Sequence, residues 1–445
     1  MDETALPRLR SNLHGSLILP GDTGYDEARA VWNASIDRRP AAVVRCADVG
    51  DVERALDFAH RHDLVVAVRG GGHSFAGKGT CDGGLVIDLA TMKQVEVDAV
   101  RRVARAQGGC TLADFDAATA AHGLATTMGT APPTGIAGLT LGGGLGWLMG
   151  RYGLACDNLI GAEVVTADGR RLRASATEHE DLLWGLRGGG GNFGVVTTFE
   201  YRLHPVTTVL AGAVTYPVSQ VRDVLRFYRE FSSSSPDELT TMVGVLPLAT
   251  GPAFGIGACW CGDLAAGEAA LAPLRRFGAP LDDSIRARPY LELQGFLTPP
   301  PMRLASYARS SFVGELGDEA VDVMVEHASP ELPSIYLFFL EHLHGAVSRV
   351  GDGETAFSHR TPGYSFAALS LWTDPPHADA STTWVRSFFD AMSPHLRSGV
   401  YSNYLTDEGD ARVRAAYGPA YERLVALKRR YDPANFFRLN QNVAP

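Results

Sequence analysis

Residues 68–77 read VRGGGHSFAG, and the fold is decided by what these ten residues are for. An apolar run, LVVAV, feeds into Arg69, three consecutive glycines and His73. Glycine loses more backbone freedom on folding than any other residue, so a triplet is costly unless a backbone must approach something closely. A glycine loop after a strand can present its N–H groups as a nest for an anion such as phosphate. Two further clusters follow: Gly142-Gly143-Gly144-Leu145-Gly146, and Gly188 to Gly191 with Asn192-Phe193-Gly194. One such loop is equally well a tight turn. Three of them ahead of Pro205 favour a large phosphate-bearing ligand.

That ligand is not seated on a dinucleotide fingerprint of the usual kind. Gly189, Gly191 and Gly194 satisfy G-x-G-x-x-G, but the fingerprint must follow a strand and open a helix. Here EHEDLLWGLR reads as helix and FGVVTTFEYRL as strand, the inverse order. No G-x-x-x-x-G-K-[ST] occurs, so a P-loop is excluded as well.

Around the loop the elements alternate. AAVVRCA (41–47), LVVAVRG and GGLVIDLA (83–90) read as strands. Asp48 to His62 has helical spacing, and Thr111 to His122 is a helix capped by Thr111 with Asp114 in the capping-box position. LIGAEVVTADGRRLRAS (159–175) is a hairpin around Ala167-Asp168-Gly169. After Pro205 the runs lengthen (VLAGAVTYPV, TTMVGVLPLA, AFGIGACWCG, SIYLFFLEHLHGAV) and helices separate them. This predicts an antiparallel sheet with helices on one face. A helix through VRAAYGPAYERLVALKRRY then precedes a polar tail that must be docked.

The 445 residues suffice for two or three domains with a large core. A net charge of -10 argues against duplex nucleic acid. No segment has the apolar length of a membrane span, and the first residues carry no export signal. The expected location is the cytoplasm, which suits scattered, unpaired cysteines. Cys259 and Cys261 read as core residues, and no spacing marks a metal site.

Five stretches then align with one known family. VRGGGHSFAG, GTAPPTGIAGLTLGGGLGWLMGRYGLACDNL (129–159), LLWGLRGGGGNFGVVTTFEYRL (182–203), YSNYLTD (401–407) and DPANFFRLNQNVAP (432–445) occur in order across nearly the whole chain. The sequence resembles the FAD-linked oxidases of the berberine bridge enzyme-like group, in the vanillyl-alcohol oxidase superfamily, most of all its bacterial members in secondary metabolism. The resemblance implies an α+β fold: a PCMH-type FAD-binding domain over 1–205, a substrate domain with an antiparallel sheet over 206–400, and a segment, 401–445, that returns to the FAD domain.

It also implies site residues. The loop Arg69, Gly70, Gly71, Gly72 and Ser74 would wrap the FAD pyrophosphate, and His73 would be bonded to the 8α-methyl of the flavin. Many members carry a second link from a cysteine before Pro-Thr; Ala131 stands there, so a single link is expected. Cys156 reads as packing. Gly129, Thr134, Gly135, Gly138, Leu139, Gly142, Gly143, Gly144, Gly146, Asp157, Asn158, Gly194, Val195, Val196, Asn440 and Asn442 complete the implied cofactor shell. Thr134 takes the position that governs oxygen access, and its small size favours O2 use. In YSNY the implied base is Tyr404, also a cofactor neighbour, with Asn403 before it. On a strand these two would point to opposite faces.

FFLEHLHGAV (338–347) places Glu341 on one strand face and His342 and His344 on the other; all three are candidates for substrate contact. The strand ending at Trp372 offers no carboxylate, which gives Tyr404 weight as base. The expected function is oxidation of a small organic metabolite, with hydride to flavin N5, O2 as acceptor and H2O2 as product. The alternatives are a dehydrogenase with another acceptor and a flavin-carrying protein without catalysis.

Overall fold

The computed structural model describes residues 5–248, 251–296, 303–328 and 334–445. Its first unit begins with three parallel strands, Ala42–Arg45, Leu85–Asp88 and Val66–Arg69 in spatial order, with Ser16–Ile18 added antiparallel at the edge. Val49–Arg61 covers them. Asp48 caps this helix by accepting from the Asp51 N–H, and Val52, Ala55, Leu56 and Ala59 enter the core beneath.

A five-stranded antiparallel sheet follows, in the order Val95–Asp98, Val103–Gln107, Val195–Arg202, Leu159–Val165, Arg171–Ser175. The hairpin read from ADG is its outer pair, and Gly169 makes the turn at φ +79°. The helix Leu112–Ala120 opens with the expected capping box: Thr111 accepts from the Asp114 N–H, and Asp114 from the Thr111 N–H. The core of the first sheet takes in Val165 and Val195 from the second, which has a further core of its own, and the loop Gly70–Gly72 leaves the end of Val66–Arg69.

The third sheet runs Asp282–Asp283, Thr208–Pro217, Gly251–Trp260, Leu239–Leu248, Ile335–Leu343, Gly363–Trp372, Ala305–Val313, with every pair antiparallel. Helices Val221–Ser233, Leu264–Arg276, Asp318–His327 and Ala378–Met392 share one core on a single face of it. Alternate residues such as Phe254, Ile256, Phe338 and Leu340 belong to that core. Their neighbours in sequence face the other way, over the first unit.

Two local readings are corrected. The tail helix is not continuous: it breaks into Asp410–Tyr417 and Tyr421–Tyr431, because Gly418 sits at φ +50° and Pro419 lacks an N–H. Ser402–Tyr404 is a single 3₁₀ turn, not a strand, so the alternation argument for Asn403 and Tyr404 does not apply. Among the described residues no helix is long and apolar enough to cross a membrane.

Candidate active site

A cavity of about 820 Å³ lies between the glycine loops and the bare face of the third sheet. Its loop side brings together Arg69 to Ser74, Gly129, Thr134, Gly135, Gly138, Leu139, Gly142, Gly194, Val196 and Asn440 from the sequence reading. Its sheet side brings Glu341, with Asn403 and Tyr404 from the tail between the two.

The loop side is shaped by close backbone approach. A methyl group at Gly71 would overlap the backbone of Gly135, and one at Gly135 would overlap Gly71. Gly138 and Gly191, by contrast, border open space where no atom lies within 4 Å of the Cβ position. The N–H groups of Gly71, Gly72 and His73 meet no backbone or side-chain acceptor among the described residues. Arg69 is not a free cation: it is buried, and it donates to Asp88 Oδ2 at 2.7 Å and to the Ala30 carbonyl at 3.2 Å. Amide donors, open glycine faces and the carboxamide of Asn440, whose Oδ1 is buried without a partner, fit a large ligand whose anionic part is held by backbone rather than by arginine. FAD is such a ligand.

His73 lies at the end of this loop with its ring stacked on Trp32, centroids 5.6 Å apart. Burial alone pushes its pKa down to about 4, so the imidazole is neutral at pH 7 and keeps a nucleophilic nitrogen.

The tail is locked to the loops. Tyr401 Oη accepts from the Gly144 N–H at 2.9 Å and from Asn403 Nδ2 at 2.8 Å, and Asn403 also donates to the Leu139 carbonyl. Asn403 packs so closely on Gly142 that a methyl group there would overlap its amide. Asn192 donates to the Gln441 carbonyl and accepts from the Val443 N–H. Lys428, fully buried, donates to Asp432 (2.7 Å), the Asn192 carbonyl (2.8 Å) and the Phe437 carbonyl (2.9 Å).

The reacting end holds one titratable pair. Tyr404 Oη donates to Glu341, 3.2 Å from Oε1 and 3.3 Å from Oε2. Desolvation pushes the Glu341 carboxyl up to about 7. The Tyr404 hydroxyl is driven well above its ordinary value, first by burial and then by the Glu341 charge. A tyrosine base needs the opposite shift. Phe75 and Phe339 hold the Tyr404 ring edge-on, at 5.9 and 5.8 Å.

Several implied residues lie outside the cavity. His342 and His344 are buried on the far side of the sheet, stacked on each other at 4.2 Å, and do not line it; burial holds His342 down to about 3. Strand alternation separates them from Glu341, as the two-face reading allowed. Asp157 is committed to Arg360, at 2.6 and 2.8 Å, and Asn158 to the Tyr152 and Leu154 carbonyls. Gly143 packs on Phe357 and Tyr401, Gly144 on Ala155 and Gly146 on the Met128 backbone, so these three shape the loop from behind. Val195 is core, and Asn442 is absent from the lining. Trp32, Trp147, Met242, Phe339 and Gln441 were missed. Only the alternation of IYLFFLEHL could have flagged one of them, by putting Phe339 on the face of Glu341.

Comparison with known proteins agrees with this geometry. A family model described as FAD binding domain matches residues 40–175, and one described as berberine and berberine like matches 400–444. An FAD-linked oxidoreductase of Dictyostelium discoideum is 32% identical over 98% of this chain and 95% of its own. The (R)-6-hydroxynicotine oxidase of Paenarthrobacter nicotinovorans is 31% identical over 98% and 97%. The crystal structure of 6-hydroxy-D-nicotine oxidase from Arthrobacter nicotinovorans superposes with a TM-score of 0.90 at 30% identity, covering 98% of each chain. With relatives matched end to end and a cavity suited to the nucleotide, the chain is an enzyme that belongs to the FAD-linked oxidoreductases of the berberine bridge enzyme-like family.

Proposed function

We propose that the chain is an oxidase that carries FAD on a single covalent bond from His73 and dehydrogenates a small organic substrate. The observation that carries this reading is the Glu341–Tyr404 pair, buried in the same cavity that the glycine loop and His73 border. Bound FAD supplies a two-electron acceptor, N5 of its ring system, for a hydride from carbon. This chain's residues supply the rest. Glu341 takes the proton from the hydroxyl or amine on the carbon that gives up hydride, because a carboxyl near 7 can serve as a base at neutral pH. Tyr404 stays protonated and holds the carboxylate in place. The proposed base is therefore Glu341, and Tyr404 moves from base to positioning donor.

The balance is a two-electron oxidation. The substrate loses one C–H and one O–H or N–H hydrogen and gains a C=O or C=N bond, and O2 takes two electrons and two protons to give H2O2. Thr134, half-buried at the cavity wall, leaves room for oxygen. His73 can form the tether because it is neutral and makes no competing hydrogen bond among the described residues. The six cysteines are all unpaired and buried, which supports a reducing compartment such as the cytoplasm.

Intact mass under denaturing conditions tests the tether. The wild-type protein is expected to retain one FAD and His73→Ala none; release of all flavin from the wild type rejects it. Peroxide formed in step with substrate loss tests the acceptor. Turnover with a dye and not with O2 makes the enzyme a dehydrogenase.

A further inference from the structure

Residues 30–34 run between the glycine loop and the third sheet and are bonded to both. On the loop side, Arg69 donates to the Ala30 carbonyl at 3.2 Å, and the Trp32 N–H donates to the Gly72 carbonyl at 3.0 Å. On the sheet side, Arg303 donates to the Val31 carbonyl at 3.2 Å, and the Ala34 N–H to the Leu304 carbonyl at 2.9 Å. Asn33 bonds both ways through one side chain. Its Nδ2 donates to the Phe75 carbonyl at 3.0 Å and to the Ser306 carbonyl at 3.2 Å. Its Oδ1 accepts from the Ser306 N–H at 3.0 Å, the Ser35 N–H at 3.1 Å and the Ser35 hydroxyl at 2.7 Å. Backbone N–H groups can meet only the oxygen of the carboxamide, so its orientation is fixed.

Asn33 is 2% exposed, and both ends of its carboxamide are committed. It meets the edge strand Ala305–Val313 as a neighbouring strand would, by bonding both the N–H and the carbonyl of Ser306. The loop it holds is the one that carries His73. The Gly72 carbonyl just before His73 and the Phe75 carbonyl just beyond it are tied to the consecutive residues Trp32 and Asn33, and the Trp32 ring stacks on the imidazole between them. Asn33 itself does not line the cavity.

We propose, resting on the tether reading, that Asn33 is a positioning residue for the cofactor bond: it fixes the loop around His73 against the substrate sheet, at the place where the bond forms. That bond joins an imidazole nitrogen to the 8α carbon. The N–H and one C–H hydrogen leave as two protons and two electrons on the flavin, and O2 takes them to give H2O2, as in turnover. Without the Asn33 amide the loop keeps its glycines and its N–H groups, so FAD still binds, but His73 is no longer held for the reaction.

The test is the flavin content of Asn33→Ala measured in two ways: total flavin per chain in the folded protein, and covalent flavin by intact mass after denaturation. Total flavin is expected to stay within about twofold of the wild type while the covalent share falls about tenfold or more, since small displacements of a reacting group cost on this scale. Asn33→Asp keeps Oδ1 and loses the donor to Phe75, and should do the same. Ser35→Ala removes one donor to Oδ1 and leaves Phe75 held, and should match the wild type. If Asn33→Ala fails to fold, Asn33→Gln, which keeps the amide and shifts it by a methylene, is read in its place. A full covalent share in the Asn33 variants overturns the proposal even if their melting temperatures drop, because a merely structural residue would change only the latter. Loss of total and covalent flavin in step also overturns it and makes Asn33 a determinant of cofactor binding. Release of all flavin from the wild type is a different failure: it rejects the tether reading itself, and the positioning role with it.

Discussion

Tyr404 donates its hydroxyl to the carboxylate of Glu341 across a separation of 63 residues, joining the tail to the strand Ile335–Leu343 of the third sheet. Burial raises both groups, but Glu341 comes to rest near neutrality and Tyr404 does not. The pair thus has one member that can change charge at pH 7 and one that cannot.

The first consequence is a pH profile. With Glu341 as base, kcat/KM rises with pH through about 7 and levels off above it. Glu341→Gln should lower kcat/KM roughly 10²- to 10⁴-fold and flatten this limb, as read by peroxide release. An unchanged limb in the variant assigns the base elsewhere.

Tyr404→Phe keeps the ring between Phe75 and Phe339 and removes only the donor. Because that hydrogen bond lowers the Glu341 pKa, its loss moves the limb to higher pH. At pH 7 the loss should be about tenfold, in line with one hydrogen bond to a charged group, and activity should recover toward pH 9. A tyrosine acting as base would show no recovery.

Asp116 makes a separate prediction for stability. It is buried, accepts from Gln294 Nε2 at 2.7 Å, and desolvation pushes its carboxyl up to about 7. A folded pKa above the unfolded one gives stability that is full below the unfolded value and lost as pH rises through the folded value. Between about pH 4 and 7 the wild type should lose stability relative to Asp116→Asn, on the order of 1 kcal/mol per pH unit. Urea midpoints of the two proteins at pH 5 and 7 read the difference, and parallel midpoints refute it.

Lys428 and Asp432 are fully buried partners. Lys428→Met leaves Asp432 as an uncompensated charge and should cost about 3–5 kcal/mol. Asp432 also accepts from the Phe436 and Phe437 N–H groups, so the segment carrying Asn440 and Gln441 should loosen. Trypsin cleavage at Arg438, faster than in the wild type, is the measurement.

The sequence carried most of the first unit because its signals are local. Asp48 and Thr111 cap helices three residues from their partners, and ADG turns a hairpin within one motif. The failures are tertiary. Gly143, Gly144 and Gly146 stand in the same motif as Gly142, yet contacts with Phe357, Ala155 and Met128 turn them away from the cavity. YSNY has strand composition, but Tyr401 is fixed by amides of the Gly144 loop, and the chain turns around it. The raised pKa of Glu341 was hidden for the same reason: it is set by burial, and tempered by a tyrosine from the tail.

The bonds from Asn192 to Gln441 and Val443 set a timetable for assembly. The ribosome makes the loop that carries Asn192 well before the strap that docks on it, 249 to 251 residues later. At about 5–20 residues per second that loop waits on the order of ten to fifty seconds for its partners. Nascent chains arrested before Phe437 should therefore hold no flavin. Loading of the cofactor is then expected late in synthesis, and a stop upstream of the strap is expected to yield a protein without its pigment.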